Sequence, residues 1–161
     1  MVNRLILFTA VFFIAACGAS TAPKTVSVEW QSLTEAGKTI PADHHVVITF
    51  GASWCVPCKK EIPAWDHLAG LLKEAPLTFV VVNLDSDRSD GEAFLNGLDV
   101  QNMAIIFDPK HQLVETFQPP AMPTTYMLSP QCEILFTHKG YYKGDEKKLL
   151  EKVREVLRTA D

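Results

Sequence analysis

Residues 46–58 read Val-Val-Ile-Thr-Phe-Gly-Ala-Ser-Trp-Cys-Val-Pro-Cys, an apolar run followed at once by two cysteines three positions apart. The run at 46–50 has the continuous hydrophobicity of a strand buried on both faces of a sheet. If a helix begins at the cysteines, Cys55 lies at its N-terminus, where unpaired backbone N–H groups and the helix dipole favour a thiolate. This arrangement suits thiol–disulfide exchange, in which an exposed, acidified sulfur attacks and Cys58 resolves.

Two cysteines at this spacing also occur in zinc sites. A structural zinc site needs two further ligands at similar spacing, and the nearest candidates, His44-His45 and His67, do not form such a pair. The sequence therefore favours redox chemistry and predicts neither a metal nor another cofactor.

The length of 161 residues fits one domain with a substantial core. The net charge is −4 and there is no basic stripe, so the sequence gives no reason to expect nucleic acid as a partner.

The first 16 residues have the pattern of an export signal. A short positive start precedes an apolar run over 5–16, which is too short for a membrane-spanning helix of about 20 residues. The run ends Ile-Ala-Ala before Cys17 and resembles a bacterial lipoprotein signal. By that resemblance Cys17 carries the acyl chains of a membrane anchor, residues 17–24 form a flexible tether, and 25–161 form the folded domain. Ordinary secretory cleavage nearby is the alternative, and it also exports the protein.

Hydrophobic periodicity predicts strands and helices in alternation. We expect a short hairpin over 25–40, strands at 46–50, 77–83, 104–107, 124–128 and 133–137, and helices at 58–73, 90–98, 110–117 and 145–158. Pro63 lies inside the first helix and should bend it, and Asp90 is the candidate cap of the second. This order predicts a mixed sheet with helices on both faces.

Four features together resemble the thioredoxin superfamily and, within it, the membrane-anchored TlpA-like and ResA-like bacterial proteins. They are Trp54–Lys59 after a strand, Pro63 eight residues beyond Cys55, the segment Met122–Leu128, and the hairpin and helix that follow. The resemblance covers roughly residues 25–158. It implies an α/β thioredoxin-like fold, whose central mixed sheet is flanked by helices on both faces, with an N-terminal hairpin and a central helix–strand insertion.

The resemblance also implies roles for individual residues. Cys55 and Cys58 are expected to form a redox-active disulfide. The peptide bond before Pro123 is expected to be cis and to lie against the two sulfurs, while the backbone of Met122 pairs with a substrate chain. Trp54 is expected to pack beside the disulfide, to shield it and to contribute to substrate binding.

Glu61 lies one helical turn beyond Cys58, so its carboxyl group can lean toward that sulfur. In ResA-like proteins a glutamate at the matching position is proposed to handle protons at the buried thiol, and apolar walls would raise its pKa. A solvated glutamate beside Lys59 and Lys60 is the alternative. Thr49 stands where thioredoxin has a buried aspartate. This puts a thioredoxin-style proton route in doubt and favours Glu61 as the residue that handles protons.

These features predict an enzyme, a thiol–disulfide oxidoreductase of the bacterial cell envelope, lipid-anchored on the periplasmic or extracytoplasmic face. Reduced Cys55 would attack a disulfide in an exported protein, and Cys58 would resolve the mixed disulfide with help from Glu61. A membrane or periplasmic thiol donor would then recycle the pair. Cytochrome c apoproteins are the best-known clients of the family.

Three other functions are compatible with the same residues. The enzyme could work as a disulfide oxidase or isomerase, because the cysteine pair does not reveal the direction of electron flow. It could be a copper metallochaperone that binds Cu(I) through its thiolates. It could also be a non-catalytic binding module. Cys132 is the odd cysteine, either incidental or involved in dimerisation or regulation.

Overall fold

A computed structural model describes residues 24–28 and 40–159. Nine helices and strands follow one another within this part of the chain. They are β1 (His45–Gly51), α1 (Cys58–Leu71), β2 (Leu77–Asn83), α2 (Arg88–Gly97), β3 (Ala104–Phe107), α3 (Gln112–Phe117), β4 (Thr124–Leu128), β5 (Ile134–Lys139) and α4 (Asp145–Thr159).

The five strands form one mixed sheet in the order β3-β2-β1-β4-β5. Strands β1, β2 and β3 run parallel, because helices α1 and α2 carry the chain back between them. Strand β4 lies antiparallel to β1, and the hairpin places β5 antiparallel to β4. The predicted thioredoxin-like α/β architecture is confirmed, and β1 lies at its centre with all seven residues buried.

The side chains of β1 alternate between two hydrophobic layers, as the twofold period of a strand requires. Val47 points into the layer that α1 and α4 cover, which also holds Ile62, Trp65 and Leu149. The other layer is covered by α3 and by the short N-terminal segment, and its members include Val26, Val46, Ile48, Phe50, Leu113 and Phe117. Helices therefore lie on both faces of the sheet, as predicted.

The predicted start of the second helix differs from the structure, whereas the first helix starts where it was predicted. Helix α2 begins at Arg88, because Asp87 and not Asp90 is its cap: the Asp87 carboxylate accepts a hydrogen bond from the Ser89 N–H at 2.8 Å. Helix α1 begins at Cys58, directly after Pro57, which lacks an N–H and fits the helix start. Cys55 thus lies in the turn before the helix.

The buried carboxylate of Asp66 joins α1 to the loop that leads into β3. It accepts hydrogen bonds from the backbone N–H groups of residues 101, 102 and 103 at 2.7–3.1 Å, and from the Asn102 side chain at 2.8 Å. These four contacts fix the middle of α1 to the edge of the sheet and so help to hold its first turn in place.

The predicted signal sequence, Cys17, most of the tether and most of the N-terminal hairpin lie outside the described residues. Within 24–28, Thr25 forms an antiparallel bridge with Glu133, and the Val26 N–H donates to the Cys132 carbonyl at 3.0 Å. None of the helices in the described ranges is both long and apolar enough to cross a membrane.

Candidate active site

Cys55 and Cys58 form a disulfide, with their Cα atoms 5.3 Å apart. Cys58 is the first residue of α1 and is fully buried, and its Sγ lies 3.8 Å from the Phe50 carbonyl oxygen. Cys55 keeps 4% of its surface exposed, less than the sequence led us to expect, and is the only one of the two cysteines with any exposure.

Gly51 allows α1 to lie directly on the end of β1. A Cβ atom at this position would meet Ile62 Cδ1 at 2.8 Å, which is closer than real Cβ contacts, and the Cys58 Cβ at 3.5 Å. Because glycine has no Cβ, the first turn of the helix can approach the strand and bring Cys58 against its backbone.

The turn between β1 and Cys55 is held by a carboxylate that the sequence analysis missed. Asp85 accepts hydrogen bonds from the Ser53 N–H at 3.0 Å and from the Ser53 hydroxyl at 2.7 Å. Asn83 fixes that carboxylate by donating to it at 2.8 Å, and the Cys55 N–H donates to the Ala52 carbonyl at 3.0 Å. The sequence contained a signal for this contact, since Asn83 and Asp85 lie at the end of a strand that runs parallel to β1.

The peptide bond between Met122 and Pro123 is cis, as the resemblance implied. Pro123 is buried, and its carbonyl accepts a hydrogen bond from the Gly140 N–H at 2.8 Å. Met122 is half-buried and packs against the hydrophobic layer that contains both active-site cysteines. Within the described part of the chain, no hydrogen bond uses the Met122 backbone N–H or carbonyl.

Trp54 and Val56, on either side of Cys55, are the most exposed apolar side chains near the disulfide. Trp54 is 61% exposed and Val56 is 68% exposed. Trp54 was expected to shield the disulfide, and the structure leaves most of its side chain exposed in the turn before α1. Both residues remain available to contact another molecule.

Glu61 is fully buried beneath the active-site turn. Its Oε2 accepts a hydrogen bond from the Thr49 hydroxyl at 2.6 Å, and its Oε1 accepts one from the Thr125 hydroxyl at 3.1 Å. Glu61 and Cys58 are one turn apart on the buried face of α1. The alternative of a solvated surface glutamate is wrong, because the Cys58 side of the helix faces the sheet.

Burial raises the pKa of Glu61 from 4.5 to about 7. Hydrogen bonds from Thr49, Thr125 and Trp65 oppose this shift by stabilising the carboxylate, and the negative charge of Asp145 adds to it. A carboxyl group with this pKa can both accept and release a proton near neutral pH, which is the property required of a general acid–base group.

Thr49 and Thr125 position the Glu61 carboxyl group, a role that the sequence analysis did not assign. They are direct partners across β1 and β4, so both hydroxyl groups emerge on the face covered by α1. Each is a fully buried polar residue in a strand of apolar residues. That exception to the strand pattern was the available signal, although it did not reveal the shared partner.

Cys132 is a free, partly exposed cysteine in the turn between β4 and β5, with a left-handed backbone at φ 62°. It lies on the face of the sheet opposite the disulfide, packed against the layer that contains Val26. Among the described residues, no three His, Cys, Asp or Glu side chains are grouped so that they could hold a metal ion.

The raised pKa of Glu61 predicts how the stability of the oxidised protein depends on pH. Between pH 4.5 and 7 the folded state retains a proton that the unfolded chain releases, so the free energy of unfolding should fall with rising pH by about 3 kcal/mol. Glu61→Gln should abolish this loss. Urea unfolding at several pH values measures it, with Glu74→Gln, at an exposed glutamate, as the control. Parallel curves for wild type and Glu61→Gln would contradict the assignment.

Comparison with known proteins gives consistent matches. The sequence model of the AhpC/TSA family matches residues 21–137. The "Thiol-disulfide oxidoreductase ResA" of Oceanobacillus iheyensis is 32% identical over 89 residues, which are 55% of this chain and 46% of that protein. The chain spans about half the length of the curated relatives it matches.

Two solved structures have the same fold. A putative thiol:disulfide interchange protein DsbE from Chlorobium tepidum is 28% identical with a TM-score of 0.68, over 72% of this chain and 82% of that one. The exposed lipoprotein thioredoxin Etrx1 of Streptococcus pneumoniae is 22% identical with a TM-score of 0.65, over 83% of this chain and 99% of that one. This chain has the thioredoxin-like fold, and it belongs to the AhpC/TSA family.

Proposed function

We propose that this protein is an extracytoplasmic thiol–disulfide oxidoreductase that reduces disulfides in exported proteins. The observation that carries the proposal is a disulfide with one accessible sulfur, Cys55, whose buried partner Cys58 lies one helical turn from a buried acid, Glu61. The relatives named as thiol–disulfide oxidoreductases support the reaction class.

The reaction begins with the reduced pair. The Cys55 thiolate attacks one sulfur of a substrate disulfide, a new S–S bond forms between enzyme and substrate, and the other substrate sulfur leaves as a thiolate. The helix start at Cys58, three residues beyond Cys55, favours a negative charge on Cys55 because the positive end of the helix dipole lies there.

The second step releases the product. Cys58 transfers its proton to the Glu61 carboxylate and attacks the Cys55 sulfur of the mixed disulfide, so the second substrate sulfur leaves. The Cys55–Cys58 disulfide forms again, two electrons have passed to the substrate, and its two sulfurs are protonated from Glu61 and from solvent. A thiol donor in the membrane or the periplasm then reduces the enzyme by the reverse of these steps.

The surface around Cys55 suits a polypeptide substrate. The N–H and carbonyl of Met122, which bind no backbone group of the described residues, can hydrogen-bond an extended chain as an added strand. The exposed Trp54 and Val56 flank the sulfur and can cover apolar side chains of that chain. We assign substrate binding to Trp54, Met122 and Pro123, with apocytochrome c among the compatible substrates.

Trapping of the mixed disulfide tests this function. Cys58→Ser should leave substrates covalently attached to Cys55, because the resolving thiol is lost, whereas Cys55→Ser should trap nothing. Both variants should lower insulin reduction to the uncatalysed rate. Cys132→Ser is the matched control and should keep full activity, because Cys132 lies on the other face of the sheet. Undiminished insulin reduction by Cys55→Ser would refute the proposal.

We also propose that residues 1–16 are a lipoprotein signal and that Cys17 carries the lipid, with residues 17–24 as the tether. The description of Etrx1 as an exposed lipoprotein supports an extracytoplasmic, membrane-attached location for this fold. Labelling with a fatty acid in a bacterial host should mark the wild-type chain and not Cys17→Ala, which should move from the membrane fraction to the soluble one. Equal labelling of both chains would refute lipidation at Cys17.

A further inference from the structure

Three neighbouring strands present a row of polar side chains that leads away from Glu61. Thr49 of β1 pairs with Thr125 of β4, and Thr125 pairs with His138 of β5. Directly paired residues of antiparallel strands share a face, so all three side chains emerge beneath α1 and α4. The two threonines bind Glu61, whereas His138 has a different partner.

Trp65 contacts two members of this row, Thr125 and His138. Its indole Nε1 donates a hydrogen bond to the Thr125 hydroxyl oxygen at 2.9 Å, which leaves the Thr125 proton free to donate to Glu61. The ring stands edge-on to His138, with ring centres 6.5 Å apart, and edge-on to Tyr141 at 5.8 Å. The indole therefore lies between the Thr125 hydroxyl group, which binds Glu61, and the His138 imidazole of β5.

His138 in turn binds Asp145, the first residue of α4. The His138 Nε2 lies 2.9 Å from Asp145 Oδ2, and the same carboxylate accepts hydrogen bonds from the Tyr142 N–H and from Lys148, each at 2.8 Å. The Asp145 side chain is only 3% exposed. Burial alone would raise the pKa of Asp145, but these hydrogen bonds hold it below its ordinary value, so the group is charged at neutral pH.

We propose that His138 and Asp145 are a positioning pair for Glu61: Asp145 holds the imidazole, the imidazole holds the Trp65 indole on the Thr125 hydroxyl group that binds Glu61, and the buried Asp145 charge acts on Glu61 within this packed cluster. This inference rests on the proposed function, in which Glu61 serves the buried thiol of Cys58. No proton passes along the row, because an indole N–H only donates. The coupling is electrostatic.

Three other ionisable side chains, Tyr141, Glu146 and Lys148, lie near Trp65 and Asp145. From α4, Glu146 accepts a hydrogen bond from the Tyr141 hydroxyl, and Lys148 is 69% exposed. Burial and the nearby carboxylates raise the pKa of Tyr141, so this group stays neutral. The charge of Asp145 acts on Glu61 in the direction that favours its protonated form.

Titration of the Glu61 carboxyl group in the oxidised full chain tests the coupling directly. Infrared spectroscopy follows its C=O band, which is assigned by its loss in Glu61→Gln. Asp145→Asn should lower the Glu61 midpoint by on the order of half a pH unit. Lys148→Met should raise it by a smaller amount at low ionic strength, because that charge is exposed. A purely structural role would not produce shifts of opposite sign.

Glu151→Gln, at an exposed position on α4, is the matched control. A midpoint in Asp145→Asn equal to that of the control would overturn the proposal. If Asp145→Asn does not fold, Lys148→Met decides: an upward shift supports the coupling and an unchanged midpoint overturns it. The pH profile of insulin reduction is measured in parallel. If the Glu61 midpoint moves and the profile does not, the proton-transfer role of Glu61 is wrong while the positioning pair stands.

Discussion

The contact between the Glu61 carboxyl group and two threonine hydroxyl groups is the constraint on which the site depends. An acid buried without hydrogen-bond partners would cost several kcal/mol, and Thr49 and Thr125 supply those partners from adjacent strands. Their hydrogen bonds do not restore the ordinary acidity, because burial is the larger effect. The result is a carboxyl group with a pKa near neutral, in the first turn of the helix that begins at Cys58.

The same geometry makes the two sulfurs unequal. Gly51 allows α1 to approach β1, and Cys58, at the start of that helix, is therefore fully buried. Asp85 holds Ser53 in the preceding turn, which keeps Cys55 at the surface side of the pair. The attacking sulfur of Cys55 and the fully buried resolving sulfur of Cys58 need different proton arrangements. The helix start serves the first and Glu61 the second.

Much of this could be predicted from the sequence, because the decisive signals are local. The apolar run before Cys55, the cysteine spacing and Pro123 carried the resemblance that implied the fold, the disulfide and the cis peptide bond. What was missed depended on side-chain exposure or on distant partners. Trp54 is 61% exposed although it was expected to shield the disulfide, and Thr49 was treated only as a missing aspartate. Its contact with Glu61 spans 12 residues and that of Thr125 spans 64, so no local pattern could pair them.

The most direct test of this account is the titration of the Glu61 carboxyl group in the oxidised wild-type protein. Carbon-13 NMR of glutamate-labelled protein, with Glu61→Gln for assignment, follows this carboxyl group as the pH changes. The structure predicts a midpoint of about 7, because the group is buried and its two threonine partners offset only part of the desolvation. A midpoint at the ordinary value of 4.5 would make Glu61 a weak base that stays ionised near neutral pH, and would contradict its role in both accepting a proton from Cys58 and releasing it again.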